Sequence, residues 1–338
     1  MPYYVFGAYG RAGCLALLGA IFWFGGELPT PVLTAVFLAL WTAYAFVSGI
    51  VAVPYNDIVG RSIPSNRRSR MLAWRFFGGG AMALLVAVAI DALLDDLPLL
   101  PAYAVIFVLA AVLMVLSSSL FVSAGEPPIL HRPGVPAQSL REFLSGGWHV
   151  LRVDSRFRLF LYSQWLGGAT LMALPFYIVA AIDFGVGSAD VAVILGAQTA
   201  GALSSNALWG RIGDAYGKLR LLVGVAIVRL VPPVVVLVFI ALDADLGLLA
   251  FAALFVVIGA LINGTTIGYL GYLMEISPDD RRPAYAAYFN VMASPAALLP
   301  LGGAALIEFV SMQAVFLAAA VAAFLQLLVL SRLASARN

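Results

Sequence analysis

The chain has 338 residues, of which 63% are hydrophobic and 11% charged, with a net charge of +2. Soluble domains carry about 25% charged residues, so this composition belongs to a chain that lives in a bilayer, and so small a net charge draws no nucleic acid to it. The single cysteine, Cys14, excludes an internal disulfide. His131 and His149 have no Cys or His cluster around them, so no metal site is expected. No Gly-x-Ser-x-Gly or His-Glu-x-x-His pattern marks an intramembrane enzyme, and no filter-like loop or ring of charge marks a channel. No cofactor is implied, and a coupling ion, if one is used, is not identified by any motif. Arginine outnumbers lysine 18 to 1, which reads as genome composition bias.

Ten apolar segments follow one another, at 10–26, 31–55, 71–92, 99–122, 159–182, 188–209, 219–241, 247–274, 284–307 and 312–331. A membrane helix needs about 20 apolar residues, and none of these segments shows the alternation of a membrane strand. Pro175, Pro232, Pro233, Pro295 and Pro300 fall inside them. Membrane helices accept such residues where neighbours satisfy the freed backbone groups. The expectation is an all-α polytopic bundle of ten spans, four before and six after a polar midpoint. It has an N-terminal half at 1–122, a linker at 123–158 and a C-terminal half at 159–338. Within the linker, Gly125 to Pro136 cannot be a continuous helix, because four prolines interrupt it. Gln138 to Arg158 sets Leu, Phe and Trp against Arg, the pattern of an amphipathic helix on a membrane surface.

Charge orients the spans. Arg61, Arg67, Arg68 and Arg70 share one connection; Arg132, Arg141, Arg152, Arg156 and Arg158 share the linker. Arg211, Lys218 and Arg220 come next, then Arg281 and Arg282, with Arg11 near the N-terminus and Arg332 and Arg337 in the tail. The intervening connections hold only acids: Glu27; Asp91, Asp95 and Asp96; Asp183 and Asp190; Asp243 and Asp245; Glu308. Seventeen of the nineteen basic residues thus fall on alternate sides, which predicts cytoplasmic termini.

One basic signature occurs twice, 214 residues apart. Pro64-Ser-Asn-Arg-Arg leads to Trp74, and Pro278-Asp-Asp-Arg-Arg leads to Tyr288. Each opens a span at the same end. The same offset aligns the chain's first span with its seventh, leaving 159–182 and 188–209 without counterparts. The pattern is that of a twelve-span protein with two parallel halves, as many secondary transporters are built, whose first two spans are absent from this sequence. A naturally short protein and a fragment are both open at this point.

The residues that sharpen this are Gly210-Arg-Ile-Gly-Asp-Ala-Tyr-Gly-Lys-Leu-Arg220. They resemble the loop signature of the major facilitator superfamily: Gly, three residues, Asp, a basic residue, any residue, Gly, then basic residues. Gly210, Asp214, Gly217, Lys218 and Arg220 fit, while Ala215 stands where a basic residue is usual. Ile58 to Gly80 is similar to that family's connection between spans four and five in a broad bacterial branch, and Tyr272 to Gly303 to that between spans ten and eleven. The resemblance implies alternating access, with charge contacts at the cytoplasmic side as a gate: Asp214 against a basic group, and Arg67, Arg68, Arg281 and Arg282 against carboxylates or lipid phosphates. Asp57, Glu275, Asp279 and Asp280 are the candidate carboxylates. The same arginines also read as topology markers facing headgroups.

The resemblance further implies that 31–55, 159–182 and 247–274 line a substrate cavity. These offer Trp41, Tyr44 and Ser48 on one helix face; Gln164 and Tyr177; and Asn263, Thr265, Thr266, Tyr269 and Tyr272, with Asn290 early in the next span. Each also reads as ordinary helix–helix hydrogen bonding. Arg75 lies about 7.5 Å beyond Arg70 at about 1.5 Å per residue, and either points into the cavity or snorkels. Arg229 either snorkels or makes a structural pair. None of the seventeen acidic residues lies in mid-span, so if the protein couples to protons the group belongs to an absent first span; otherwise it is a facilitator, or is coupled through something less visible. The leading expectation is a monomeric transporter of a small organic solute in a bacterial inner membrane. The alternative is a transport-inactive relative with an assembly or regulatory role.

Overall fold

The computed structural model describes residues 2–26, 28–126, 139–187, 190–242, 247–278 and 281–335, without the side chains of 87–89, 91–92, 94–96 and 140. Glu27, His131, Arg132, Asp243, Asp245, Asp279, Asp280 and Arg337 lie outside the described residues, as do the side chains of Asp91, Asp95 and Asp96. Among the described residues fourteen α-helices follow in order: α1 Pro2–Phe24, α2 Thr30–Ser62, α3 Ser65–Asp96, α4 Leu99–Ser123, α5 Leu140–Val153, α6 Ser155–Thr170, α7 Phe176–Asp183, α8 Val191–Ala215, α9 Lys218–Arg229, α10 Val231–Leu242, α11 Gly247–Ile276, α12 Arg282–Ala293, α13 Leu299–Phe309 and α14 Met312–Ser335.

Among the described residues nine segments are long and apolar enough to cross a membrane. The remaining segment read from the sequence, 71–92, falls in the 32-residue α3. The helices outrun the apolar windows. α1 starts at Pro2, and α2 continues through Pro54 to Ser62. Hydropathy marks only the stretch matched to hydrocarbon, whereas backbone bonding carries a helix on into the headgroup region.

Three spans are broken, each next to proline. The span Ser155–Asp183 passes through a 3-10 turn at Leu171–Ala173 before Pro175. The span Lys218–Leu242 breaks between Arg229 and Val231, just before Pro232 and Pro233. The span Arg282–Phe309 holds a 3-10 turn at Ser294–Leu298, with Pro295 inside it and Pro300 after it. Proline cannot donate to the helical ladder and crowds the preceding turn.

The amphipathic stretch forms two helices rather than one. Ser139 and Glu142 make a reciprocal capping box at the start of α5, with Ser139 N–H donating to Glu142 Oε2 at 2.8 Å. At the other end Asp154 stops α5 and starts α6, its Oδ1 accepting the N–H groups of Arg156 and Phe157 at 3.0 and 3.1 Å. Arg158 Nη1 donates to the last carbonyls of α5, Leu151 O and Arg152 O, at 3.1 and 2.8 Å. The chain therefore turns at Asp154. One face of α5 packs Phe143 and Gly147 on Tyr288, and Leu144 and Trp148 are exposed.

The chain divides into two compact units, Met1–Ile63 with Met82–Val135, and Pro64–Ala81 with Pro136–Asn338. In the first, α1 packs on α2 and α4 around Tyr4, Ala8 and Val51, with Phe121 beside them. In the second, α11 packs on α8, and α14 on α6. An aromatic core of Phe157, Phe160, Tyr269, Tyr272, Tyr285 and Phe289 fills one end, and a core with Tyr177, Phe251, Phe255 and Phe316 fills the other. The α8–α11 contact is backbone to backbone. A Cβ on Gly259 would stand 1.8 Å from Gln198 O, and one on Gly201 2.0 Å from Val256 O.

Candidate functional site: a carboxylate at a helix start and an arginine-lined cavity

Asp214 ends α8 beside the opening turns of α3, within the second unit. Its carboxylate accepts the backbone N–H of Ser69 at 3.0 Å and of Arg70 at 2.9 Å. A carboxylate is unfavourable at the C-terminus of its own helix and favourable at the N-terminus of another, so this juxtaposition stabilises it. Gly217, at φ +91°, reverses the chain before α9. The turn brings Lys218 under Asp214. The lysine is buried, and its three donors meet Asp214 Oδ1 at 3.2 Å, Gly213 O at 3.1 Å and Ser65 O.

Two glycines permit this approach. A Cβ on Gly210 would lie 2.9 Å from Ala73 Cβ, and one on Gly213 2.3 Å from Ser69 Oγ. Gly213 is outside the spacing that the sequence signature names; its interval of three from Gly210 was the available signal. Arg220 is exposed and takes no part in the cluster. The basic group expected opposite Asp214 is Lys218, joined by backbone amides that no side-chain pattern announces.

The twin arginine signatures behave alike. Arg67 and Arg281 are exposed, whereas Arg68 and Arg282 are buried at 7% and 5% exposure. Their aromatic mates differ: Trp74 is exposed, and Tyr288 is covered by α5. Asp57, an expected partner for these arginines, pairs instead with Arg61 one turn on, Nε to Oδ2 at 2.9 Å. Arg61 also reaches Glu126 at 2.6 Å.

A cavity of about 430 Å³ opens in the second unit between α3, α8 and α11. Arg75, Phe76, Gly79, Gly80, Thr199, Ala202, Leu203 and Asn263 line it. It thus joins two of the sequence candidates, Arg75 and Asn263. Arg75 lies over the Phe76 ring at 5.7 Å, and Asn263 Nδ2 donates to Ala202 O at 3.1 Å. Thr199 went unrecognised in the sequence, as did Asn206, one turn beyond Leu203 on the same face of α8. Asn206 is 1% exposed, and both of its amide atoms are buried without a hydrogen-bond partner. The signal for both was polarity within an apolar span.

The other cavity candidates lie elsewhere. Trp41 and Tyr44 stack at 5.4 Å in the first unit, where Ser48 Oγ is buried without a partner. Tyr177 belongs to a core cluster against Phe316 at 5.1 Å. Thr266 donates to Ile262 O at 3.1 Å, Asn290 is exposed, and Gln164 Oε1 is buried without a partner.

Tyr269 joins a buried network around Arg229. The guanidinium donates to Gln326 Oε1 at 2.9 Å and to Thr265 Oγ1. Gln326 Nε2 in turn donates to Ser163 O at 3.0 Å and Tyr269 Oη at 2.7 Å, and the tyrosine hydroxyl donates to Ser163 O at 2.9 Å. Among the described residues no carboxylate pairs with Arg229. Gly167 leaves the room: a Cβ there would lie 2.4 Å from Nη1. Of the two readings of Arg229, this geometry is the structural pairing.

Long apolar helices, an internal repeat with matched arginines and a glycine-seated carboxylate define a multi-pass helical membrane protein. Residues 171–337 match the family model described as Major Facilitator Superfamily. A bacterial homologue of the iron transporter ferroportin, in its outward-facing state, superposes with a TM-score of 0.75 over 99% of this chain and 83% of that one, at 13% identity. The Major Facilitator Superfamily transporter FucP, in the outward conformation, gives 0.71 over the same shares at 17% identity. The second half of the chain thus matches the Major Facilitator Superfamily, and the chain as a whole has the fold of the transporters named above. Uncharacterized protein Rv2209 of Mycobacterium tuberculosis and uncharacterized protein Mb2232 of Mycobacterium bovis are each 26% identical over 195 residues, 58% of this chain. That match spans 38% of the length of these relatives.

Proposed function

We propose that this protein carries a small organic solute across a bacterial inner membrane by alternating access, as a monomer with cytoplasmic termini. The observation that carries the reading is the Asp214 cluster. It joins α8 to the opening of α3 by hydrogen bonds from two backbone amides and a lysine. Hydrogen bonds to charged groups contribute about 1.5–3 kcal/mol each, enough to hold one state and small enough for solute binding to exchange. Arg67, Arg70, Arg211 and Arg220 crowd the same end, which the positive-inside rule assigns to the cytoplasm. The fold neighbours are transporters crystallised in outward states.

The test is protein-dependent movement of solutes. Membrane vesicles with and without the protein are loaded with a cell extract, and the solutes that redistribute are identified by mass spectrometry. At least one solute should move only with the wild-type chain. In Asp214→Asn that movement should fall at least about tenfold, the effect of about 1.4 kcal/mol, with the protein still folded. If no solute redistributes, the transport reading falls, and an assembly or regulatory role takes its place.

A further inference from the structure

Helix α5 has a covered face and an open one. Phe143, Gly147 and Val150 turn inward, with the Phe143 ring 4.7 Å from that of Tyr288 and Val150 in the aromatic core. Opposite them, Arg141, Leu144, Trp148 and Arg152 follow one another at intervals of three or four, which sets them in one stripe along the helix. All four are exposed, Leu144 by 51% and Trp148 by 53%. While water covers them, these two apolar side chains forgo the gain of burial. An arginine stands at each end of the stripe, the two about 16.5 Å apart at about 1.5 Å per residue. Arg152 lies over the Trp148 ring at 5.1 Å, which fixes a cation beside an aromatic anchor. The carboxylates of this stretch are held by their own helix caps: Glu142 accepts Ser139 N–H, and Asp154 accepts the N–H groups of Arg156 and Phe157.

We infer that the open face of α5 is a docking surface for anionic phospholipid, with Leu144 and Trp148 at the acyl boundary and Arg141 and Arg152 on headgroup phosphates. Chain continuity puts the helix at the right level. Asp154 alone separates α5 from the span that begins with α6, and α12, on which α5 packs, opens another span at Arg282. A bilayer surface presents apolar chains and phosphates side by side, which is the order of side chains on this stripe. Tryptophan suits the boundary between the two. Basic groups at that level are drawn to a leaflet rich in anionic lipid, so the two arginines select headgroup charge where the apolar pair does not. The docked face is tied to the start of two spans, because Tyr285 Oη of α12 donates to Asp154 Oδ2 at 3.2 Å. The inference needs only a chain embedded in a membrane, and it stands or falls apart from the transport reading.

The experiment is thermal unfolding of the purified full chain in detergent with added dioleoyl phosphatidylglycerol or dioleoyl phosphatidylcholine, which share their acyl chains and differ in headgroup charge. Phosphatidylglycerol should raise Tm at a concentration about tenfold lower than phosphatidylcholine, the equivalent of about 1.4 kcal/mol, and high salt should narrow that advantage. The advantage should be lost when Arg141→Gln and Arg152→Gln are combined. The matching double lysine variant should keep most of it, because attraction to the leaflet follows charge. Arg332→Gln, which changes an exposed arginine in the last turn of α14, should leave it whole. Arg141 and Arg152 are exposed, so the lipid-free Tm of the variants should stay near that of the wild type, and it reports their folding. Equal protection by the two lipids, protection by neither, an advantage unchanged in the double glutamine variant, or an equal loss in Arg332→Gln overturns the inference. So does the same protection by inorganic phosphate alone, which would put a soluble anion on this face in place of the bilayer.

Discussion

Replacing Gln326 with leucine will destabilise the protein more than replacing Arg229 with methionine. Arg229 is 6% exposed, and Gln326 supplies one of its two side-chain acceptors. Gln326→Leu leaves the charge in place with one acceptor fewer, and also strips Tyr269 and Ser163 O of a donor. Removing one partner of a buried charge costs about 3–5 kcal/mol. Arg229→Met removes the charge along with its desolvation penalty, leaving a neutral amide oxygen unmatched at about 1–3 kcal/mol. The ordering is checked by thermal or denaturant unfolding in one detergent. A larger loss in Arg229→Met would mean that the arginine contributes attraction beyond this neutral network. Gly167→Ala should act in the same direction as Gln326→Leu, because its methyl group would displace the guanidinium.

The second large effect is expected at the α8–α11 crossing. Gly259→Ala places a Cβ 1.8 Å from Gln198 O and Gly201→Ala one 2.0 Å from Val256 O. In each case the obstacle is backbone, so relief requires moving a whole helix. Overpacking a core costs about 1–3 kcal/mol where side chains can yield, and here the loss should reach or exceed the top of that range. Gly196→Ala, on α8 as well, meets nothing within 4 Å. It should stabilise by about 0.5–1 kcal/mol, the ordinary helix advantage of alanine. Opposite signs for Gly196→Ala and Gly201→Ala in unfolding midpoints establish close packing as the cause. Equal effects would leave only general glycine propensity.

Close packing also explains the division between what was legible in the chain and what was not. Membrane residence, the places of the spans and the matched arginine signatures follow from hydropathy, charge order and repetition, because hydrocarbon imposes the same demand on every spanning segment. The proline breaks and the Ser139 and Asp154 caps are made by neighbouring residues, yet the apolar and amphipathic patterns run on through Pro175 and Asp154 without marking them. Asp214 was recognisable as a motif residue, but its partners at Ser69 and Arg70 are backbone amides, which every residue but proline carries. Asn263 joined Arg75 at a cavity, while Tyr269, six residues on, joined Arg229. Helix rotation separates those two roles, and the rotation depends on how closely α8 and α11 approach through Gly201 and Gly259. Composition along a segment thus determined that the chain spans the membrane. Which polar groups meet inside it was decided only by tertiary packing, because a helix presents its residues in all directions and its neighbours select among them.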